Sequence, residues 1–277
     1  MRLHAVVGGH GRPLLLIHGW PGNWYYWRLI MPALARNFEV IAVDQRGIGL
    51  SDKPETGYDT RTLANDMIGL MNALGHPQFA VVGVDTGMLI GYALAADHPR
   101  PRATRRPRRS PPTRHHPTQP TDPARPTRRP PCRPPLAHPV QPTQRSQRKL
   151  VQGRENIFYT AEFQASAGTH KLPDQVVKYY VDGLAASPEA LHGSFQLYRA
   201  FGPTTAQNKE RMTHRLQMPV LAMGGAESLG AGAAGTLKST ADNVQTLVIP
   251  DTGHWLAEQA ANQLTTAFDT FLTPYRT

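Results

Sequence analysis

The sequence predicts an α/β fold, a mostly parallel sheet with helices on both faces. Three observations predict it. Short, strongly apolar runs recur at 14–17, 38–43, 79–84 and 218–223, as strands covered on both faces require, with a last strand at 244–249. Segments with helical spacing of apolar residues alternate with them, which calls for right-handed crossovers. Glycines cluster where strand gives way to helix.

Taken in order, residues 3–18 read as two short strands joined by Gly8-Gly9-His10-Gly11, and 24–34 as a helix. Phe38–Val43 is a buried strand ending in the loop Asp44-Gln45-Arg46-Gly47-Ile48-Gly49. Leu63, Met67, Leu70, Met71 and Leu74 give 60–74 a helical stripe. The strand 79–84 runs directly into a helix over 87–97. Beyond the Arg/Pro stretch discussed next, 151–165, 173–184 and 188–201 read as three aromatic-rich helices. The strands 218–223 and 244–249 flank a Gly-rich stretch, and 255–272 is the closing helix.

The formal charge of +10 suggests a polyanion partner until its distribution is examined. Residues 101–150 hold 13 of the 30 Lys+Arg, one of the 20 Asp+Glu and 14 of the 26 prolines; the remainder carries 17 basic and 19 acidic residues, a net −2. The basicity belongs to one stretch and not to the folded domain. That stretch also holds the single cysteine, Cys132, so no disulfide can form within the chain. No run is long and apolar enough for a signal peptide or a membrane span. The expectation is a soluble, cytoplasmic enzyme without cofactor or metal, binding neither nucleic acid nor membrane.

From 100 to 148 the alternation of strands and helices fails. Pro or Arg stands at nearly every second place and aliphatic residues are almost absent. A basic insertion of this kind cannot bury enough apolar surface to order itself. Translation of a GC-rich gene out of frame produces the same composition, and residues 136–148 favour that origin. Codon degeneracy allows DNA that, read one base later, gives Trp-His-Ile-Pro-Phe-Asn-Gln-Leu-Asn-Ala-Val-Asn-Glu, which continues into Lys149-Leu150-Val151-Gln152-Gly153. Either way, 100–148 is expected to have no regular secondary structure.

Three motifs carry the chemistry. In His18-Gly19-Trp20-Pro21, Gly19 permits a sharp turn and Pro21 fixes the next φ. The Trp20 N–H is thereby aimed above the strand ends, where open α/β sheets bind ligands. His18 reads as a structural hydrogen-bonder of this loop. Gly83-Val84-Asp85-Thr86-Gly87 has the spacing of a nucleophile elbow with Asp at its centre; an ordinary helix N-cap Asp is the competing reading. Asp251-Thr252-Gly253-His254-Trp255 sets a histidine after the last strand. All three lie at strand ends, in the order that places loop, nucleophile and base together.

With these motifs the chain resembles the α/β-hydrolase superfamily, and within it the branch of epoxide hydrolases and haloalkane or haloacetate dehalogenases. Trp24-Tyr25-Tyr26-Trp27 and Asp44-Gln45-Arg46-Gly47-Ile48-Gly49-Leu50-Ser51-Asp52-Lys53-Pro54 strengthen the likeness, which covers about 1–98 and 150–277. The resemblance implies a core formed by 1–99 and 205–277, with a helical cap over roughly 135–204, of which 149–204 follow the anomalous stretch. It implies that Asp85 is a nucleophile forming an alkyl ester and that His254 activates the water that hydrolyses it. The N–H groups of Trp20 and Thr86 would form the oxyanion hole. Tyr198, in Ser194-Phe195-Gln196-Leu197-Tyr198-Arg199-Ala200, would donate to the epoxide oxygen; packing within the cap is its alternative role.

The resemblance also calls for an acid behind the histidine, on a strand expected just past Pro99, inside the Arg/Pro stretch. Glu227, after the following strand, is the remaining candidate, with a solvated loop glutamate as the alternative. Small hydrophobic epoxides are the expected substrates, and organohalides the second choice. A scaffold inactivated by loss of its acid and one strand is the competing class.

Overall fold

The computed structural model describes residues 1–99 and 144–276. Residues 100–143, where most of the anomalous segment and the expected further strand fall, lie outside the described residues. Four strands form one sheet: β1 (Ala5–Gly8), β2 (Arg12–Ile17), β3 (Phe38–Val43) and β4 (Ala80–Gly83), in the order β1-β3-β2-β4. β2 is parallel to both β3 and β4, with Ile17 opposite Val43 on one side and Gly83 on the other; β1 runs antiparallel to β3. Two more strands, β5 (Val220–Gly225) and β6 (Val244–Ile249), pair in parallel as a separate sheet.

Burial follows this pairing. Leu14, Leu15, Leu16 and Ile17 of the central strand β2 are wholly buried, as are Val40, Ile41, Ala42 and Val43 of β3. Every residue of β4 is only partly buried, although the strand is equally apolar. β4 pairs with β2 alone, and no described strand lies on its other edge.

The helices between these strands are α1 (Met31–Leu34), α2 (Thr60–Ala73) and α3 (Thr86–Asp97). α2 is capped by Asp59, whose side chain accepts the Thr62 N–H, and it buries Leu63, Ala64, Met67 and Met71 one turn apart. Then come α4 (Gln144–Val151), α5 (Glu155–Ser166), α6 (Asp174–Ala185), α7 (Pro188–Arg199), α8 (Phe201–Arg211), α9 (Gly232–Lys238), α10 (Leu256–Gln259) and α11 (Ala261–Arg276). The alternation of β2 divides the interior. Leu14 and Leu16 face Trp27, Tyr159, Phe163, Tyr180, Trp255 and Phe268, while Leu15 and Ile17 face Leu63, Met67 and Ile90. Helices α5 and α6 therefore share one apolar cluster with the four-stranded sheet. No helix among the described residues is long and apolar enough to cross a membrane.

Several boundaries differ from the sequence expectation. α4 starts at Gln144, inside the 100–148 stretch expected to have no regular secondary structure. Pro142 is the last proline of the run, and the Gln, Arg and Ser residues after it are compatible with a helix. The helix expected over 151–165 is broken by Gly153, at φ 79°, into α4 and α5. α8 was not foreseen, because Gly202-Pro203 reads as a stop; Pro203 sits in its first turn, where a missing N–H costs nothing. The segment 24–34 is a 3₁₀ turn at Trp24–Trp27 followed by the short α1. The closing helix divides at Ala260.

One buried ion pair ties three of these parts. Arg28, after the 3₁₀ turn, reaches both carboxylate oxygens of Glu258 in α10, at 2.5 and 2.8 Å, and Tyr180 of α6 donates to the same carboxylate at 2.6 Å. The Glu258 side chain is 2% exposed. Glu258→Gln leaves Arg28 with half its partner and should lower the unfolding free energy by roughly 2–3 kcal/mol. Urea denaturation measures this, and an unchanged midpoint would show that the pair contributes nothing net.

Candidate active site

The site begins with a backbone constraint. β4 ends at Gly83, α3 starts at Thr86, and Asp85 turns the chain between them at φ 53°, ψ −118°. Such a conformation costs a non-glycine residue about 1–3 kcal/mol and persists only when its surroundings impose it. Here they do. A Cβ on Gly83 would lie 2.1 Å from the Gly87 carbonyl oxygen, and one on Gly87 would lie 2.3 Å from the Ile17 oxygen. Only glycine fits at either place. Asp85 makes no capping hydrogen bond to α3, so its carboxylate is not spent as an N-cap.

The carboxylate is instead held from the loop after β2. Oδ1 accepts the Trp20 N–H at 3.0 Å. Gly19 allows this approach, since a Cβ there would lie 2.5 Å from the Cβ of Asp85. Trp20 and Pro21 are joined by a cis peptide bond. His18 is wholly buried; Nδ1 donates to the Gly19 oxygen at 2.9 Å and Nε2 accepts the Gln45 N–H at 3.1 Å. With both nitrogens engaged in the loop, His18 is not available to substrate, and burial lowers its pKa so that it stays neutral. The Thr86 N–H is the first of α3, one of the donors a helix leaves unbonded at its N-terminus.

The other oxygen, Oδ2, lies 3.7 Å from Nε2 of His254, within the spacing at which one water can bridge them. The His254 loop rests on the end of α5. The His254 N–H donates to the Ser166 oxygen at 2.9 Å, and Trp255 Nε1 donates to Ser166 Oγ at 2.9 Å. Gly253 packs so closely that a Cβ would lie 2.3 Å from the Ala167 oxygen. Sequence reasoning missed this support from α5; the Gly-His pair signalled a close approach, but not to what.

Glu227 is not brought to His254. Its Oε2 accepts the Thr169 N–H at 2.5 Å, and this bond lowers its pKa. Among the described residues no carboxylate bonds Nδ1 of His254, and no group of three or more His, Cys, Asp or Glu could hold a metal ion.

Tyr198, on α7, is mostly enclosed and its ring meets the Trp20 indole edge-on, with centroids 4.8 Å apart. Its hydroxyl has no hydrogen-bond partner among the described residues. Burial raises its pKa most, and the negative charge of Asp85 raises it further. The phenol thus stays protonated above its ordinary 10.0. The stabilisation it gives is complete below that pH and is lost as pH rises through the higher folded value. In native protein, the phenolate absorbance of wild type minus Tyr198→Phe should be absent between pH 10 and about 11 and should appear on unfolding. A native difference signal at pH 10 would contradict the burial argument.

Comparisons with known proteins bear on the fold. A family model described as the α/β hydrolase fold matches residues 12–103. The soluble epoxide hydrolase of Corynebacterium sp. (strain C12) is 48% identical over 97 residues, 35% of this chain and 34% of that protein. The fluoroacetate dehalogenase of a Burkholderia species is 41% identical over 102 residues, 35% of this chain and 34% of that protein. The sequence match thus spans about a third of each relative. Among solved structures, the epoxide hydrolase CorEH superposes with a TM-score of 0.78 at 25% identity, covering 99% of this chain and 95% of that one.

Proposed function

From the α/β-hydrolase fold, whose family model matches residues 12–103, we propose that the chain opens epoxides through an alkyl ester on Asp85. The observation that carries the reading is the grip on one carboxylate: Trp20 N–H on Oδ1 and His254 Nε2 beside Oδ2. A carboxylate so oriented attacks an electrophilic carbon, and the C–O bond of the epoxide breaks as the ester bond forms. The departing oxygen becomes an alkoxide and takes a proton from Tyr198, which water later restores. A donor placed where charge develops is worth far more in an enclosed site than in water.

In the second step His254 removes a proton from water, and the hydroxide adds to the ester carbonyl. Trp20 N–H, already at Oδ1, and Thr86 N–H stabilise the resulting oxyanion. Collapse of the tetrahedral intermediate releases the diol, protonated by His254, and restores the Asp85 carboxylate. Small hydrophobic epoxides are the substrates we assign. An organohalide is the alternative, supported by the likeness to fluoroacetate dehalogenase; it needs donors for a leaving halide, and Thr86 follows the nucleophile here.

A second reading, an inactive scaffold, draws on two specific observations: among the described residues, His254 Nδ1 lacks an acid partner and β4 pairs on one edge only. Both fit our proposal that 100–148 derive from an out-of-frame stretch of the gene. Resequencing across codons 98–150 decides it. Two compensating single-base changes are expected, one near codon 100 and one near codon 148, and a reading frame unchanged through these codons overturns the proposal.

The two chemical steps are separable. Asp85→Ala should abolish both alkylation and turnover. His254→Gln should accumulate the ester, adding the epoxide's mass to the protein at Asp85. Tyr198→Phe should slow alkylation on the order of 10²-fold. Intact-protein mass spectrometry reads all three. Labelling of the wild type by a serine-directed organophosphate, with no adduct in His254→Gln, would overturn the Asp85 mechanism.

A further inference from the structure

Ser194 is wholly buried and lies on α7 one helical turn before Tyr198. A serine in mid-helix commonly returns its hydroxyl to the backbone one turn earlier. Ser194 reaches out of the helix instead. Its Oγ accepts the indole Nε1–H of Trp20 at 2.8 Å and shares a hydrogen bond with the Tyr159 hydroxyl, also at 2.8 Å. The indole so pinned stands edge-on to the Tyr198 ring, at 89° between planes, and packs on Tyr159 at 5.9 Å. The same Trp20 donates its backbone N–H to Asp85.

The neighbouring residue explains why this hydroxyl is well placed. A Cβ on Gly193 would fall 2.3 Å from the Gly47 oxygen, so α7 lies backbone-to-backbone on the loop after β3. That contact sets where the helix lies. It does not set the angle of the aromatic rings beside it, and a ring wall without polar anchors can slide. The Ser194 hydroxyl supplies the anchor, joining a side chain of α5, the loop after β2 and α7 at one buried point.

We propose that Ser194 is a positioning residue for epoxide opening, fixing the Trp20 indole and through it the angle at which Tyr198 presents its hydroxyl. This rests on the reading of Asp85 and Tyr198 given above. Removing the hydroxyl leaves the indole N–H buried without a partner, and the rings re-pack. Only the alkylation step should suffer, because Tyr198 donates in that step alone, and the Trp20 N–H that serves the oxyanion of the second step belongs to the backbone turn at Gly19 and not to the indole.

The test uses the full chain and styrene oxide as probe, with adduct growth followed by quenched intact-mass measurement in the His254→Gln background. Adding Ser194→Ala should slow alkylation about tenfold. Trp20→Phe, which removes the indole N–H together with part of the ring that meets Tyr198, should slow it at least as much. The two changes together should cost no more than one, because they break the same contact. In protein retaining His254, Ser194→Ala should leave the decay of the ester unchanged. Alkylation at the parent rate in Ser194→Ala, or losses that multiply in the double variant, overturns the proposal. Absence of adduct in His254→Gln alone overturns the parent reading and the catalytic role of Ser194 with it. An NMR measurement separates the contact from the chemistry: the Trp20 indole N–H, assigned by its loss in Trp20→Phe, should exchange slowly with solvent in wild type and rapidly in Ser194→Ala. Equal exchange rates in the two proteins would show that Ser194 does not hold Trp20 at all.

Discussion

The turn at Asp85 is the constraint around which the site is built. Its backbone sits in a conformation that a non-glycine residue avoids, and it is kept there because β4, α3 and the end of β2 converge without room for a side chain at Gly83 or Gly87. The strain is offset by burial elsewhere: Leu15 and Ile17 of β2 and Ile90 of α3 lie in one apolar cluster. What the strain provides is orientation. A carboxylate in an ordinary N-cap would fold back onto the helix N–H groups, whereas this one stands clear of α3 and meets Trp20 N–H and His254 instead.

From that point the molecule reads as two sheet pieces brought to one carboxylate. Trp20 arrives from the four-stranded piece and His254 from the loop after β6. No described strand joins β4 to β5, so the helices do the joining. Phe163 and Tyr180, from α5 and α6, pack with Trp255 and with residues of β2 and β3 in one cluster. Ser166 holds the His254 loop, and Glu258 locks α10 to Arg28 and Tyr180. In this chain the helical layer is therefore structural support for the His254 loop.

Much of this was legible in the sequence. Apolar runs such as 14–17 announced strands buried on both faces, and the fold class followed. Gly83-Val84-Asp85-Thr86-Gly87 announced the elbow because its glycines report steric exclusion, which sequence records directly. What sequence does not record is the partner across space. Nothing at Ser166 or Ser194 distinguishes it from any helical serine, yet one supports the His254 loop and the other bonds Trp20 and Tyr159. Glu227 looked like an acid near the end of a strand, and its carboxylate turned to the Thr169 N–H, a group that no spacing rule points to. Helix ends were misjudged where a local residue had two meanings, as with Pro203, a stop in isolation and an acceptable first-turn residue in place.

The central claim is that the oxygen delivered to the substrate comes from Asp85 and that water replaces it in a second step. A single turnover in water enriched in oxygen-18, with enzyme in excess over epoxide, tests this most directly. The account predicts a diol free of label in that first turnover, with oxygen-18 recovered in the carboxylate of the peptide containing Asp85. Label in the diol, with none in that peptide, would mean that water attacks the epoxide itself, and it would contradict the account.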